Sequence, residues 1–249
     1  MTTEFRVTDD GGDRLRAHTR EALDSEPGVV PDVSVGLLRL CDAAAGELGF
    51  RGATVTLMTE TGKEAVAATS RDGDRHVDEL QFSLGEGPGL DAFRSGRAVL
   101  VPDLSAAFAR WPAYAPAAVH ARACAAFAFP LQLGAVRFGV LSLYDDDTRR
   151  LDGHEMSQCL IFADVATGLL LDSTPAGSGD RADPDLQVSL QFRTEVYQAQ
   201  GMVMVDLRVS LAEALARLRA YSFAEGRDLN ELAADVVAGR LRLKNDVDR

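Results

Sequence analysis

A segment near residue 180 divides this chain into two parts with different hydrophobic patterns. The segment Asp172–Asp185, DSTPAGSGDRADPD, has the Pro-, Gly-, Ser- and Asp-rich composition of a linker. Strand-like and helix-like patterns both occur before it, whereas only helical patterns follow it. The sequence therefore predicts an α+β domain followed by a small helical domain, and 249 residues are enough for both.

These patterns divide the chain into five segments. Residues 1–30 are polar and contain glycine, so we expect a loose N-terminal arm. The α+β domain covers residues 31–172, the linker 173–187 and the helical domain 188–243, and a tail follows at 244–249.

The α+β domain is predicted to hold about six strands in a largely antiparallel sheet flanked by helices. Two pairs of segments have the alternation of hairpins: GATVTLMTE with EAVAATS, and CAAFAFPLQL with RFGVLSLYDDD. HVDELQFSL and AVLVPDL are predicted as further strands. Helical spacing predicts helices from residue 33 to Gly49, around Leu90 and Phe93, and over residues 152–171.

The helical domain is predicted to be a three-helix bundle, with helices over about 188–205, 210–224 and 228–243. Ser210 with Glu213, and Asp228 with Glu231, are the residue types of capping boxes at helix N-termini. So short a unit buries little surface, and we expect dimerisation to help stabilise it.

Gly201 lies in the middle of the first of these helices, where glycine costs about 1 kcal/mol relative to alanine. One apolar face of that helix is predicted to pack on the other two helices: Phe192, Val196, Ala199 and Val203. A second apolar face holds Gly201 and three predicted dimerisation residues: Leu190, Tyr197 and Met204. Glycine there suits close approach by a second subunit or a nucleic acid. Alternatively, the apolar residues of this helix form one broad stripe that packs between the other two helices.

The net charge of −12 argues against a general affinity for polyanions. The charge is unevenly distributed. Val188–Arg249 contains nine basic and nine acidic residues, whereas residues 1–187 contain 17 basic and 29 acidic ones. The helical domain is therefore the part of the chain that is not repelled from nucleic acid.

The sequence also predicts a cytoplasmic protein with no membrane partner. The N-terminus lacks the apolar core of a secretory signal, and polar residues interrupt the longest apolar stretch, 124–144. The three cysteines are widely spaced and odd in number, which is typical of reduced thiols.

Little in the sequence indicates catalysis, so we predict no catalytic residue, no metal site and no cofactor. The turn GEGPG lacks the Lys and Ser/Thr of a phosphate-binding loop and is interpreted as structural. His120 and Cys124 would share one face if their segment were helical, and Cys159 could join them, but such isolated residues rarely form a metal or redox site.

Four motifs follow one another in the helical domain: QAQGMVM at 198–204, SLAEAL at 210–215, LRA at 218–220 and RDLNELAADVV at 227–237. With these motifs the domain resembles the ANTAR domain of bacterial transcription antitermination regulators. Residues 31–171, with SLGEGPGLDAFRSGRAVLVPDL and FGVLSLYDDD, are similar to a GAF sensory domain. The pairing resembles the GAF and ANTAR proteins of actinobacteria.

The resemblance implies a dimer that binds a pair of stem-loops in nascent RNA and stabilises them against the terminator hairpin, so that polymerase reads through. An unidentified small ligand or partner protein would act at the GAF-like domain. The implied RNA-facing residues are Gln198, Gln200, Gly201, Arg219, Ser222, Arg227 and Asn230. Family members often carry lysine where this chain has Gln200, so one candidate phosphate contact is missing. RNA loops are recognised by hydrogen bonds and base stacking as well as by charge. We therefore expect the affinity for RNA to depend only modestly on salt.

Two other functions are left as alternatives. A GAF-fold thiol-dependent reductase would use Cys124 or Cys159, which lie farther apart than the cysteines of that family. A DNA-binding helix-turn-helix regulator would bring Asp228, Glu231 and Asp235 unfavourably close to phosphates.

Overall fold

The computed structural model describes residues 33–59, 64–172 and 194–243. The α+β domain contains α1 (Val33–Leu48), β1 (Gly52–Met58), β2 (Glu64–Thr69), α2 (Asp72–Leu84), α3 (Pro88–Ser95), β3 (Val99–Val101), a 3₁₀ turn (Leu104–Ala107), α4 (Tyr114–His120), β4 (Ala125–Leu133), β5 (Val136–Asp145) and α5 (Gly153–Asp172). The helical domain contains α6 (Thr194–Leu207), α7 (Leu211–Glu225) and α8 (Leu229–Val237). The predicted fold class, α+β followed by three helices, is confirmed.

The strands form one sheet in the order β2-β1-β5-β4-β3, and every neighbouring pair is antiparallel. Strand alternation gives this sheet two buried faces. Val55, Phe127 and Leu141 point to the face covered by α1 and α5. Ala126, Val140 and Tyr144 point to the opposite face, which α2, α3 and α4 cover.

The prediction of a strand at HVDELQFSL is wrong, because these residues belong to α2. The sheet of the described residues accordingly has five strands. The buried positions of this helix recur at helical spacing: Asp74, Val77, Asp78, Gln81 and Phe82. Three of these five side chains are polar, so the helical period does not appear in the hydrophobic pattern of the sequence.

The helical domain follows its predicted caps. The Ser210 hydroxyl accepts the amide of Glu213 at 3.2 Å, and the Asp228 carboxylate accepts the amide of Asn230 at 2.8 Å. The third helix is shorter than predicted and ends at Val237, since Gly239 adopts a left-handed conformation with φ of 72°. The N-terminal arm, the linker, Leu190 and the tail lie outside the described residues.

No described helix is long and apolar enough to span a membrane.

Candidate nucleic-acid interface

The seven residues implied in RNA binding fall into two sets in the structure. The first set lies on α6: Gln198, Gln200 and Gly201. The second set lies at the end of α7 and the start of α8: Arg219, Ser222, Arg227 and Asn230. All four residues of the second set line an open cleft of about 2180 Å³ between the helical domain and the α+β domain, and α2 contributes to its far side. We call this the interdomain cleft.

Gln200 and Ser222 make hydrogen bonds to backbone carbonyls of the helical domain. The Gln200 amide is 5% exposed and donates to the carbonyl of Leu211 at 2.8 Å, which ties α6 to the start of α7. The Ser222 hydroxyl donates to the carbonyl of Arg227 at 2.6 Å and holds the turn into α8. Gln200, in place of the lysine common in the family, thus has a packing role that the sequence alone did not reveal.

Arg227 is partly exposed and lies at the entrance to α8, where it belongs to a small charged cluster. Its guanidinium donates to the Asp235 carboxylate at 2.5 Å, and Arg240 donates to the same carboxylate at 2.7 Å. Both bonds lower the pKa of Asp235, and the bond from Arg227 has the larger effect. Two cations thus neutralise Asp235, and the charges of Glu225 and Glu231 also act on Arg227, so the cluster carries no excess of positive charge.

Arg219 faces the α+β domain. Its guanidinium carbon lies 5.1 Å from the centre of the Phe82 ring on α2. Gly85, which ends α2 with φ of 75°, lies close against this arginine, since a Cβ there would stand 3.1 Å from its Nη1 atom. The resemblance assigned Arg219 to the RNA-facing residues, and the sequence gave no sign of this contact with α2.

The predicted dimerisation residues that the structure describes contact their own chain. The Tyr197 hydroxyl is bonded to the backbone of Glu64 in β2, and Met204 packs against the core of the helical domain. The exposed apolar residues of α6 are instead Met202 and Val205, with exposed fractions of 40% and 67%. Val196, Ala199 and Val203 form the buried face, as predicted.

Gly201 lies next to this exposed apolar stripe. A Cβ built at Gly201 would meet no described atom within 4 Å. Packing within the described part of the chain therefore gives no reason for a glycine here.

We expect Gly201→Ala to raise the free energy of unfolding by up to about 1 kcal/mol, because alanine loses less backbone entropy in a helix. Urea titration followed by circular dichroism at 222 nm measures this change. A loss of stability would show that the glycine is required by packing within the chain.

A buried polar network lies between α2 and the sheet. The Asp78 carboxylate accepts hydrogen bonds from the hydroxyl of Thr56, from the hydroxyl of Tyr144 at 2.7 Å and from the amide of Gln81 at 3.0 Å. Burial, and then the charge of Asp78, raises the pKa of Tyr144 well above its ordinary value, so this hydroxyl stays protonated. The network fixes the inner side of α2 to β1 and β5.

The GEGPG turn makes hydrogen bonds to two neighbouring helices. The amide of Gly89 donates to Gln81 Oε1 at 2.7 Å, and a Cβ at Gly87 would lie 2.5 Å from that same oxygen. The Glu86 carboxylate accepts the amides of Ala113 and Tyr114 at 2.7 and 2.9 Å, which anchors the start of α4. The turn therefore joins α2, α3 and α4 around the polar network.

All three cysteines are free thiols, and Cys41 and Cys159 are buried. The helix α4 ends at His120, so Cys124 does not share a helix face with it. Burial raises the pKa of Cys41 far above its usual range and that of Cys159 to about 12, so both thiols stay protonated. Within the part of the chain that the structure describes, no group of three His, Cys, Asp or Glu residues could hold a metal ion.

The structure thus consists of a sheet with helices on both faces and a small three-helix unit with an exposed helix face. Family models match both parts: residues 32–170 match the GAF domain and residues 185–237 match the ANTAR domain. The chain belongs to the GAF family and carries an ANTAR domain, as the resemblance indicated. GAF is a sensory domain and ANTAR an RNA-binding domain of antitermination regulators, and both are regulatory rather than catalytic.

Solved structures support the fold of the first domain. The chain is similar to the GAF domain of a phosphoenolpyruvate-protein phosphotransferase from Acinetobacter, with 14% identity, a TM-score of 0.52, and coverage of 70% of this chain and 100% of that one. The GAF domain of the same kind of protein from Coxiella burnetii matches with 13% identity, a TM-score of 0.52, and coverage of 66% and 95%. No curated protein matches the chain.

Proposed function

We propose that this protein is a signal-responsive antitermination regulator that binds paired hairpin loops in nascent RNA as a dimer. The observation that carries the proposal is the exposed face of α6, where Gly201 stands beside Gln198 with no packing partner for a side chain. The ANTAR match provides the chemical class of the partner. The α6 face would meet RNA or a second copy of the chain, and either contact would account for glycine at this position.

Charge is consistent with a selective contact of moderate strength. The helical segment from Val188 onward is electrically neutral, while the remainder of the chain carries all of the net negative charge. RNA binding would therefore depend on hydrogen bonds from groups such as Gln198 and Asn230, both exposed, together with the Arg227 cluster. The salt dependence of binding should accordingly be shallow.

Dimerisation is the second part of the proposal. Met202 and Val205 add apolar surface beside Gly201, on the side of α6 away from the helical core. Two copies of this face could approach closely at the glycine, as small residues allow at helix crossings. The signal would enter at the GAF domain, as a small ligand or a partner protein.

The test is a gel-shift assay of the full chain against two-hairpin leader RNAs and duplex DNA of equal length, with the dimer mass followed by light scattering. We expect selective RNA binding, and we expect Gly201→Leu to weaken it at least tenfold because the leucine blocks close approach. The control is Ala224→Leu, which adds a similar side chain at an exposed position of α7.

Equal weakening by both leucine variants would show that the glycine has no special role. Binding to duplex DNA in preference to RNA would favour the helix-turn-helix alternative, and no binding to either nucleic acid would contradict the proposed function.

A further inference from the structure

We propose that α2 of the GAF domain and the RNA compete for the same side of α7, so that the docked arrangement seen here weakens RNA binding by the ANTAR domain. This inference rests on the proposed function and adds its regulation. The signal that acts on the GAF domain would then work by releasing the helical domain from α2. Three contacts and one cleft support this proposal.

The first contact is the ring of Phe82. This side chain belongs to the GAF helix α2, yet it is 3% exposed and packs in the hydrophobic core of the helical domain. Its ring meets that of Tyr197 edge to face, with the centroids 6.2 Å apart. One GAF side chain thus completes a small core that would otherwise be marginal.

The second contact is between α6 and the edge of the sheet. The Tyr197 hydroxyl accepts the amide of Glu64 at 2.6 Å and donates to the carbonyl of the same residue at 3.0 Å. Strand β2 lies at the edge of the sheet, so Tyr197 satisfies backbone groups that face away from β1. These bonds fix α6 to the GAF domain.

The third contact is made by Arg219, which packs on the Phe82 ring and against Gly85. A guanidinium held in this way is turned toward the GAF domain and away from any RNA that approaches from solvent. Arg219 is also one of the residues that the ANTAR resemblance assigns to RNA. The same side chain therefore has two competing partners.

The interdomain cleft extends this competition to the other residues of the second set. Arg219, Ser222, Arg227 and Asn230 line one wall, while Arg75, His76 and Leu80 of α2 are among the residues of the opposite wall. Phe82 and Gly85 lie directly against Arg219, so binding of RNA to this side chain would require α2 to move away.

The helix α2 also provides a route for the signal. Its inner side carries Asp78 and Gln81, which are bonded to the sheet and to the GEGPG turn, and Phe82 follows directly on its outer side. A ligand or partner that changes the polar network would turn or shift α2 and so move Phe82. The two sides of one helix thus connect the sensory core to the ANTAR core.

The test compares the full chain with Phe82→Ala and Tyr197→Phe, with Phe108→Ala as a control at an exposed GAF position. Hydrogen exchange at the Glu64 amide and along α7 reports docking, and the gel shift with two-hairpin RNA reports binding. We expect both variants to exchange faster and to bind RNA more tightly, by at least tenfold for Phe82→Ala and less for Tyr197→Phe. The control should change neither measurement.

A double variant tests the shared surface. Adding Arg219→Ala to Phe82→Ala should remove most of the gain in RNA affinity, because the released arginine is no longer present. Retention of the full gain would overturn the claim that RNA and α2 share this side chain.

The outcomes separate this inference from the proposed function. If hydrogen exchange shows that a variant has released the helical domain, but this variant binds RNA no more tightly than the wild type does, the competition is overturned. The proposed function is then left intact. No RNA binding by any variant, with release demonstrated, would overturn both. If Phe82→Ala unfolds the helical domain, Tyr197→Phe tests the competition instead, because this variant keeps the ring and removes only the hydroxyl.

Discussion

Replacing Gly139 by alanine is expected to lower the free energy of unfolding by about 3 kcal/mol or more. Gly139 lies in β5, which has β1 on one side and β4 on the other. A Cβ at this position would stand 2.1 Å from the carbonyl oxygen of Thr56 and 3.0 Å from the Cα atom of Leu57. Both atoms belong to the backbone of β1, so no side chain can rotate to make room, and the strands must separate.

Gly46→Ala is the matched control for this prediction. Gly46 is exposed in α1, and a Cβ there would meet no described atom within 4 Å. The same substitution should therefore stabilise the protein by up to about 1 kcal/mol. Urea unfolding followed by the fluorescence of Trp111, the one tryptophan of the chain and 2% exposed, measures both changes. A loss below about 1 kcal/mol for Gly139→Ala would show that the sheet adjusts to the extra carbon.

Asp78→Ala is expected to cost about 3 kcal/mol, the second large effect. This carboxylate accepts hydrogen bonds from Thr56, Tyr144 and Gln81, and all four residues are buried. Alanine would leave three buried donors without this acceptor. Asp78→Asn keeps one oxygen in place and should cost less.

The exposed Asp42 provides the comparison for Asp78. Asp42→Ala removes a carboxylate from the surface of α1 and should change stability by less than about 0.5 kcal/mol. The same urea titration applies to all three variants. A cost for Asp78→Ala as small as that for Asp42→Ala would mean that water replaces the carboxylate and that the network does not hold α2 rigidly.

The network and the docking contact explain why α2 has an unusual sequence. A helix with Asp74, Asp78 and Gln81 on its buried side pays a desolvation cost, which the hydrogen bonds to the sheet and the GEGPG turn offset. The GAF domain thus has a polar core beneath the helix that contacts the ANTAR domain.

Several features were predictable from the sequence because they depend on residues close together in the chain. Ser210 and Asp228 begin their helices where the capping pattern predicted, and Gly226 ends α7. The two hairpins appear as β1–β2 and β4–β5. The ordered motifs of 198–237 identified the ANTAR domain in the same way, since each is a short, local signal.

Tertiary contacts decided the remaining features. The period of α2 was hidden because its buried positions are polar, and their partners in β1 and β5 are distant in sequence. The resemblance assigned Arg219 to RNA, but its packing on Phe82 depends on how the two domains meet. The sequence by itself determined the order of elements and the family, because local periodicity and short motifs encode both. Only the tertiary structure decided which face of the ANTAR domain is covered, because that depends on contacts between residues more than a hundred positions apart.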